Sequence, residues 1–254
     1  MAPSLSARQQ RILDWLRAGG SLSIQTLAHR LQVSGETVRR DVQGLVDAAL
    51  VQRFHGGVRL HRSLQESPFE QRLRTQVAAK RQLAQAVAAL VPDGASLALD
   101  NSSTACFVAQ ALAARRRLTV FTPSLEVARA LVSAQASHTV LMPGGVLRAT
   151  DMTLTGAAAL RYAAQLRPDC FVLSVAGVSE AGCLDFDPFE VEYKQCVSAQ
   201  ARHVVVAVDA SKFAGEGLMT SLRWNEVHTL VTDAPPPAAI ARAAAELRQV
   251  VCAG

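Results

Sequence analysis

The sequence predicts an α/β protein in two parts, a small basic helical unit followed by a larger domain built on a largely parallel sheet. Three observations predict it. Residues 1–81 carry 13 Lys and Arg against 6 Asp and Glu, whereas residues 82–254 carry 13 against 15. Short stretches with helical periodicity, each opened by a serine, fill the first fifty residues. From residue 96 onward, apolar runs of strand length alternate with alanine-rich helical stretches, the pattern of strands joined by helical crossovers.

The bulk numbers narrow the class. A chain of 254 residues is long enough for one or two domains with real cores, and half of its residues are apolar, so a disordered protein is excluded. No apolar run approaches a membrane span, and the N-terminus lacks a charged-then-apolar leader, so no membrane partner is expected. Five scattered cysteines without a CxxC pair fit a reduced, cytoplasmic protein. The histidines show no zinc spacing, no cysteine stands in a nucleophile context, and no GxSxG occurs; no metal, cofactor or catalytic residue is expected. A basic front end on a near-neutral body is the footprint of a nucleic-acid-binding module with a separate partner domain.

The front end reads in order. Ser6 and Gln9 form a capping box ahead of Ile12, Leu13, Trp15 and Leu16, and Gly19 and Gly20 stop that helix. Ser23 caps a second helix through Leu31, Gln32 and Val33 make a brief turn, and Ser34 caps a third. On a helical wheel Val38, Val42, Leu45 and Val46 share the buried face of that third helix. Thr37, Arg40 and Gln43 lie opposite, offered to base edges, and Arg39 lies at the side, within reach of phosphates. Asp41 would repel phosphate, so a structural role is expected, orienting Arg40 or a neighbouring amide. Residues 50–54 read as a strand, His55, Gly56 and Gly57 as a glycine turn, and residues 58–60 as the return. Arg53, His55 and Arg59 would sit on this wing, able to touch the sugar-phosphate backbone.

These residues also resemble a family. Val33, Ser34, Thr37, Val38, Arg39, Arg40, Asp41 and Val42, followed by Arg53, His55, Gly56 and Gly57, match the signature of the winged helix-turn-helix of DeoR-type bacterial transcription regulators. That signature runs VS-x-x-T-[IV]-RRD-L, then a strand ending R-x-HGG. One departure is Ala49, where the family usually has glycine before the wing.

The body begins after a connector. Residues 61–67 have no sustained apolar pattern, and Ser67, Pro68 and Glu70 read as cap, N1 and N3 of one helix running to Pro92. The expected organisation is therefore residues 1–60 for DNA, 61–75 for a linker and the start of a connecting helix, and 76–254 for an α/β domain. Buried strands are expected at 96–100, 118–122, 139–142, 170–176, 203–208 and 229–232, with helices at 102–116, 123–135, 153–166 and 188–201.

In open α/β sheets, ligands collect beyond the carboxyl ends of the strands. Asp100, Asn101, Ser102, Ser103 and Thr104 follow the first strand and open a helix, where hydroxyls and unpaired backbone N–H groups make an anion seat. Ordinary N-capping by Ser102 or Ser103 explains the same residues equally well. Gly144, Gly145 and Gly177 would let backbone approach a ligand; Lys194 and Lys212 supply positive charge; Asp209 can accept from sugar hydroxyls. Glu190 and Lys194 are four apart, and the competing reading makes them a surface pair on one helix.

The resemblance covers this half too, through residues 100–104, 122–124, Gly144, Gly145, Gly156, 177–179, 190–194, Asp209, Lys212 and Phe213. They look like the C-terminal sensor domain of the family, which is similar in fold to ribose-5-phosphate isomerase. The resemblance implies a phosphorylated sugar or sugar acid as effector, with the hydroxyl loop holding phosphate and with Asp209 and Lys212 contacting the effector. Asn101 and Ser102 depart from the small residue and glycine found in many members. It further implies a homo-oligomer that binds operator double-stranded DNA and represses a carbohydrate-catabolism operon. The rival reading is a sugar-phosphate isomerase-like enzyme with an appended DNA-binding domain.

Overall fold

Residues 5–19, 21–48, 50–54, 56–60, 66–133 and 137–254 are described by the computed structural model. They fall into two units, divided between residues 64 and 65.

In the first unit the caps act as the serines predict. The Ser6 hydroxyl accepts from the Gln9 amide at 3.2 Å, and the Gln9 side chain accepts in return from the Ser6 amide at 2.9 Å. Helix α1 (Ala7–Gly19) follows, then a short strand β1 (Ser21–Leu22) that the sequence pattern did not reveal. Helix α2 (Ile24–Leu31) is capped by Ser23 and ends on Gln32 in the left-handed region, φ 56°. Helix α3 (Gly35–Asp47) is capped by Ser34. Strands β2 (Val51–Phe54) and β3 (Gly57–Leu60) form an antiparallel hairpin, and β1 pairs with the other side of β3. Ile12, Leu13, Leu16, Leu27, Val38, Val42 and Leu45 fill the core between the three helices, joined by Val51 and Val58 from the hairpin. Three short helices cannot be stable alone; burying these apolar stripes against one another is what holds them.

The second unit opens with α4 (Phe69–Arg74) and α5 (Val77–Leu90), two helices where one was expected. The break lies at Gln76, φ 54°, and it is stabilised from α5. The Lys80 ammonium donates to the carbonyls of Arg72 (2.5 Å) and Thr75 (2.9 Å), satisfying the end of α4. Then come β4 (Ser96–Leu99), α6 (Ser103–Ala111), β5 (Thr119–Phe121), α7 (Leu125–Ser133) and β6 (Thr139–Leu141). A hairpin of β7 (Val146–Arg148) and β8 (Thr153–Thr155) precedes α8 (Ala157–Ala163) and β9 (Cys170–Leu173). Strands β10 (Gly177–Ser179) and β11 (Gly182–Asp185) lead into α9 (Pro188–Ser198) and β12 (Val204–Val208). The chain closes with β13 (Met219–Leu222), β14 (Thr229–Thr232), α10 (Ala238–Ala243) and β15 (Gln249–Cys252).

Seven strands form the main sheet in the order β15-β14-β12-β9-β4-β5-β6, every pairing parallel. Strand alternation divides the core in two. Along β12, Val205 and Ala207 enter the layer containing Leu83 and Val87 of α5 and Val108 of α6. Val204, Val206 and Val208 enter the opposite layer with Tyr193 and Val197 of α9 and Ile240 of α10. A strand buried on both faces needs a continuous apolar run, and β12 supplies one. Strands β10, β11 and β13 make a separate antiparallel sheet.

The strand order reverses between β4 and β9. From β4 the chain winds toward β6, and from β9 toward β15, so the crevice beyond these two strand ends is the topological switch point.

Candidate functional site

Each unit carries one candidate surface. In the first, capping sets the start of α3, so Val38, Val42 and Leu45 are buried and Arg39, Arg40 and Gln43 are exposed. Ser34 accepts from the Thr37 amide at 3.2 Å, and the two hydroxyls lie 2.9 Å apart. Arg39 reaches Glu36 at 3.2 Å, and Gln43 donates to Asp47 at 2.8 Å; both contacts are exposed. Exposed pairs of this kind hold little energy and yield readily to a phosphate or a base edge. Arg53 does more than lie on the wing. Its guanidinium donates to the Arg39 carbonyl at 2.9 Å, fastening β2 to α3. Gly56 adopts φ 105°, as a tight hairpin turn requires; His55 lies outside the described residues.

Asp41 is structural, but its partner is not Arg40. Its carboxylate takes both the Nε (2.7 Å) and Nη2 (3.1 Å) of Arg8 on α1, and the Asp41 carbonyl accepts from Gln9. Arg40 is exposed, as its wheel position predicts, and Asp41 faces α1.

A Cβ added at Gly57 would lie 2.6 Å from the Leu22 carbonyl oxygen. Gly57→Ala is therefore expected to push β3 off β1 and cost roughly 1–3 kcal/mol, in the range of overpacked sites. Urea unfolding of the full chain, followed by the fluorescence of Trp15 in a Trp224→Phe background, checks this; stability equal to the Gly57 parent would contradict a wing seated this closely.

In the second unit, a cavity of about 200 Å³ opens at the switch point. Ser102, Ser103 and Thr104 line it from the start of α6, with Ser174 and Val175 from the end of β9, and Asp209, Ser211 and Lys212 from beyond β12. Asp100 and Asn101 stand behind this wall. Asp100 is wholly buried; one oxygen accepts from the Ser102 hydroxyl (2.7 Å) and amide (3.2 Å), the other from the Ser174 amide (3.0 Å). It thus clamps the ends of β4 and β9 together. Burial pushes its carboxyl up to about 6, against the pull of Lys194 and the Ser102 hydroxyl. Ser102 caps α6 by accepting from Ala105 (3.0 Å), while Ser103 and Thr104 also line the cavity. Capping and anion seat, posed as alternatives by the sequence, are compatible here.

Glu190 and Lys194 are not a surface pair. Lys194 is among the most buried side chains of the protein, 2.9 Å from Asp185 and 3.8 Å from both Asp100 and Glu190. Burial alone would lower its pKa, but the three carboxylates overrule that and hold it above the ordinary lysine value. Beside it, Arg148 bonds Asp151 in bidentate fashion at 2.8 and 2.7 Å and reaches Asp187 (2.8 Å) and Glu190 (2.9 Å). Asn101 bridges Asp151 and Glu190 at 3.0 and 2.9 Å. One Asp185 oxygen, Oδ1, takes Lys194 and the Ala176 amide; the other is buried with no hydrogen-bond partner among the described residues. Asp185 also lines the cavity. Asp209 accepts from the Ser211 amide at 3.0 Å and from its hydroxyl through a short bond, capping the turn that carries Lys212.

The glycines behave differently from expectation. A Cβ at Gly145 would lie 2.4 Å from the Thr155 carbonyl, and one at Gly177 would lie 2.4 Å from the backbone of Gly215. The close approach at these positions is to the protein's own backbone. Gly144 and Gly145 are exposed and, with Gly177, do not line the cavity.

Several lining residues have no place in the sequence-based expectation, the charged ones being Glu66, Arg72, Lys80 and Asp185. Lys80 had a legible signal, since it stands at i with Leu83, Ala84 and Val87 at i+3, i+4 and i+7, a charge on the core face of α5. Burial lowers its pKa to about 8, with Asp209 pulling the other way.

A capped helix-turn-helix with a hairpin wing, in one chain with an α/β domain that has a polar crevice at its sheet switch point, is the architecture of a DNA-binding protein with a separate second domain. The comparisons agree. The DeoR-like helix-turn-helix domain matches residues 8–63, and the DeoR C terminal sensor domain matches residues 75–234. The chain belongs to the DeoR family of transcription regulators. It is 33% identical over 234 residues to the glycerol-3-phosphate regulon repressor of Escherichia coli (strain K12), covering 92% of each chain. It is likewise 33% identical to the HTH-type transcriptional repressor CsqR of that organism, over 92% of this chain and 89% of the relative. The L-fucose operon activator, also from that organism, is 30% identical over 90% and 95%. Among solved structures, ribose 5-phosphate isomerase A from Methanocaldococcus jannaschii is similar over 54% of this chain and 55% of its own, at a TM-score of 0.40 and 18% identity. Among the described residues no helix is long and apolar enough to cross a membrane.

Proposed function

We propose that this regulator represses a carbohydrate-catabolism operon in the cytoplasm and that a phosphorylated sugar or sugar acid relieves the repression. Residues 1–60 read operator DNA, residues 61–75 join the parts, and residues 76–254 sense the effector. Ser34, Thr37, Arg39, Arg40 and Gln43 face the major groove, and Arg53, His55, Gly56 and Gly57 form the wing. As with other helix-turn-helix proteins, a homo-oligomer presents two such helices to two half-sites.

One observation carries the effector reading, the mixed chemistry of the cavity lining. The N-terminus of α6 with Ser102, Ser103 and Thr104, near Arg72, Lys80 and Lys212, suits a dianion. Asp185, held by Lys194 at 2.9 Å, and Asp209 suit hydroxyls. A phosphorylated polyol presents both groups at once. The relatives named as glycerol-3-phosphate regulon repressors support the same class of ligand and, by their names, the repressor sign. Asp100 and Glu190, carboxylates beside the cavity that could otherwise move protons, are committed to clamping and ion pairing, so binding without turnover is expected.

A thermal-shift panel of phosphorylated sugars and sugar acids tests this. A ligand binding only the folded state at a hundred times its Kd adds about 2.7 kcal/mol of apparent stability. That corresponds to a rise of roughly 5 °C or more, absent with the unphosphorylated counterpart and strongly reduced in Lys212→Met. No response to any member of the panel, or isomerised product accumulating in its presence, would count against the proposal.

A further inference from the structure

Glu66 stands just ahead of α4, and its side chain lines the cavity. Its Oε2 lies 2.9 Å from Arg72 Nη1 and its Oε1 lies 4.0 Å from Lys212 Nζ. Arg72 is itself held in place: its Nε donates to the Ser67 carbonyl at 3.0 Å, and its guanidinium lies 5.3 Å from the centre of the Phe69 ring, which is buried. A carboxylate with one oxygen toward each of two cations occupies them as a bound anion would. Burial raises the Glu66 carboxyl above its ordinary pKa, even though Arg72 and Lys212 oppose that shift.

We propose that Glu66 is a resident anion filling the cation seat of the cavity, and that the anionic group of the effector engages Arg72 and Lys212 by displacing it. This rests on reading the cavity as the site of a phosphorylated ligand. Two anions cannot share the seat, because their repulsion at this partly desolvated position is poorly screened. Occupancy therefore becomes exclusive: either Glu66 is in, or the ligand is. Glu66 also directly follows residues 61–65, the stretch leading from the DNA-reading unit, so its displacement acts on the chain at the point where the two units join. A ligand that moves this residue has a covalent route to the winged domain without deforming the sheet.

Inorganic phosphate is the probe, titrated at constant ionic strength against the full chain as wild type, E66Q, E66A and K212M, with thermal shift as the readout. If Glu66 holds the seat about nine-tenths of the time, removing its charge raises apparent phosphate affinity about tenfold, the inverse of the competent fraction. E66Q and E66A are each expected to reach half-saturation at about a tenth of the wild-type phosphate concentration, and K212M to bind far more weakly. Equal half-saturation in wild type, E66Q and E66A, with binding lost in K212M, would overturn the role of Glu66 while leaving the anion site standing. Absence of a phosphate response in wild type and both Glu66 variants would overturn both.

Discussion

Replacing Arg39 and Arg40 together by alanine is expected to abolish specific operator binding, weakening it by about a hundredfold or more. A bidentate arginine–guanine contact discriminates by roughly 1–3 kcal/mol, and loss of a phosphate contact adds to that. Arg40 is exposed and has no ion-pair partner among the described residues, so its removal costs the fold little. Arg39 serves the fold through its carbonyl, which accepts from Arg53 and survives the substitution. The two single variants should separate in kind. Arg40→Ala relaxes sequence preference, whereas Arg39→Ala weakens binding to all duplexes and lowers the salt dependence by about one ion. Fluorescence anisotropy with operator and unrelated duplexes at several salt concentrations distinguishes them. An unchanged operator affinity in a folded double variant would remove α3 as the recognition helix.

Replacing Lys194 by methionine is expected to destabilise the second unit by about 3–5 kcal/mol, the cost of leaving buried charge without its counterion. Three carboxylates, of Asp100, Asp185 and Glu190, lie within 3.8 Å of the Lys194 ammonium, and its side chain is almost wholly shielded from water. The loss should depend on pH in a defined direction. Asp100 titrates near 6 in the fold, above the ordinary aspartate value, so its folded form favours the proton. Its contribution to stability is complete below the unfolded value of about 4 and is lost as pH rises through 6. Without Lys194 the carboxyl has still less reason to ionise. The variant should therefore lie closest to wild type near pH 5 and fall furthest behind near pH 8. Urea unfolding at both values checks the claim; a loss below about 1 kcal/mol at pH 8 would mean that this cluster is better solvated than its burial indicates.

Much of the fold is legible in the chain because burial imposes periodicity. The five-residue apolar run of β12 can only be a strand covered on both faces, and the caps at Ser6, Ser23 and Ser34 mark helix starts by local chemistry alone. What escaped lacks such local causes. Strand β15 is an exposed edge with only Val250 and Val251 to mark it, and the β7–β8 hairpin has no glycine turn between its strands. The split between α4 and α5 depends on Gln76 adopting a left-handed conformation under the hold of Lys80, which no spacing encodes.

The site divides the same way. Ser102, Ser103, Thr104, Asp209 and Lys212 were legible because strand ends place them at the switch point. Lys194 was legible as a charge but not as the centre of a buried cluster, since Asp100 and Asp185 meet it only in three dimensions. Glycine gave the weakest guidance, because an approach to one's own backbone and an approach to a ligand require the same missing Cβ.

The most direct measurement compares the affinity of the full chain for a duplex from its own promoter and for a scrambled duplex, at about 0.15 M salt, with and without the phosphorylated ligand that most raises its melting temperature. The expected result is a preference of about a thousandfold or more for the promoter duplex, reduced by roughly 5–150-fold when the ligand is present. Equal affinity for the two duplexes, or a preference that the ligand leaves untouched, would contradict the account.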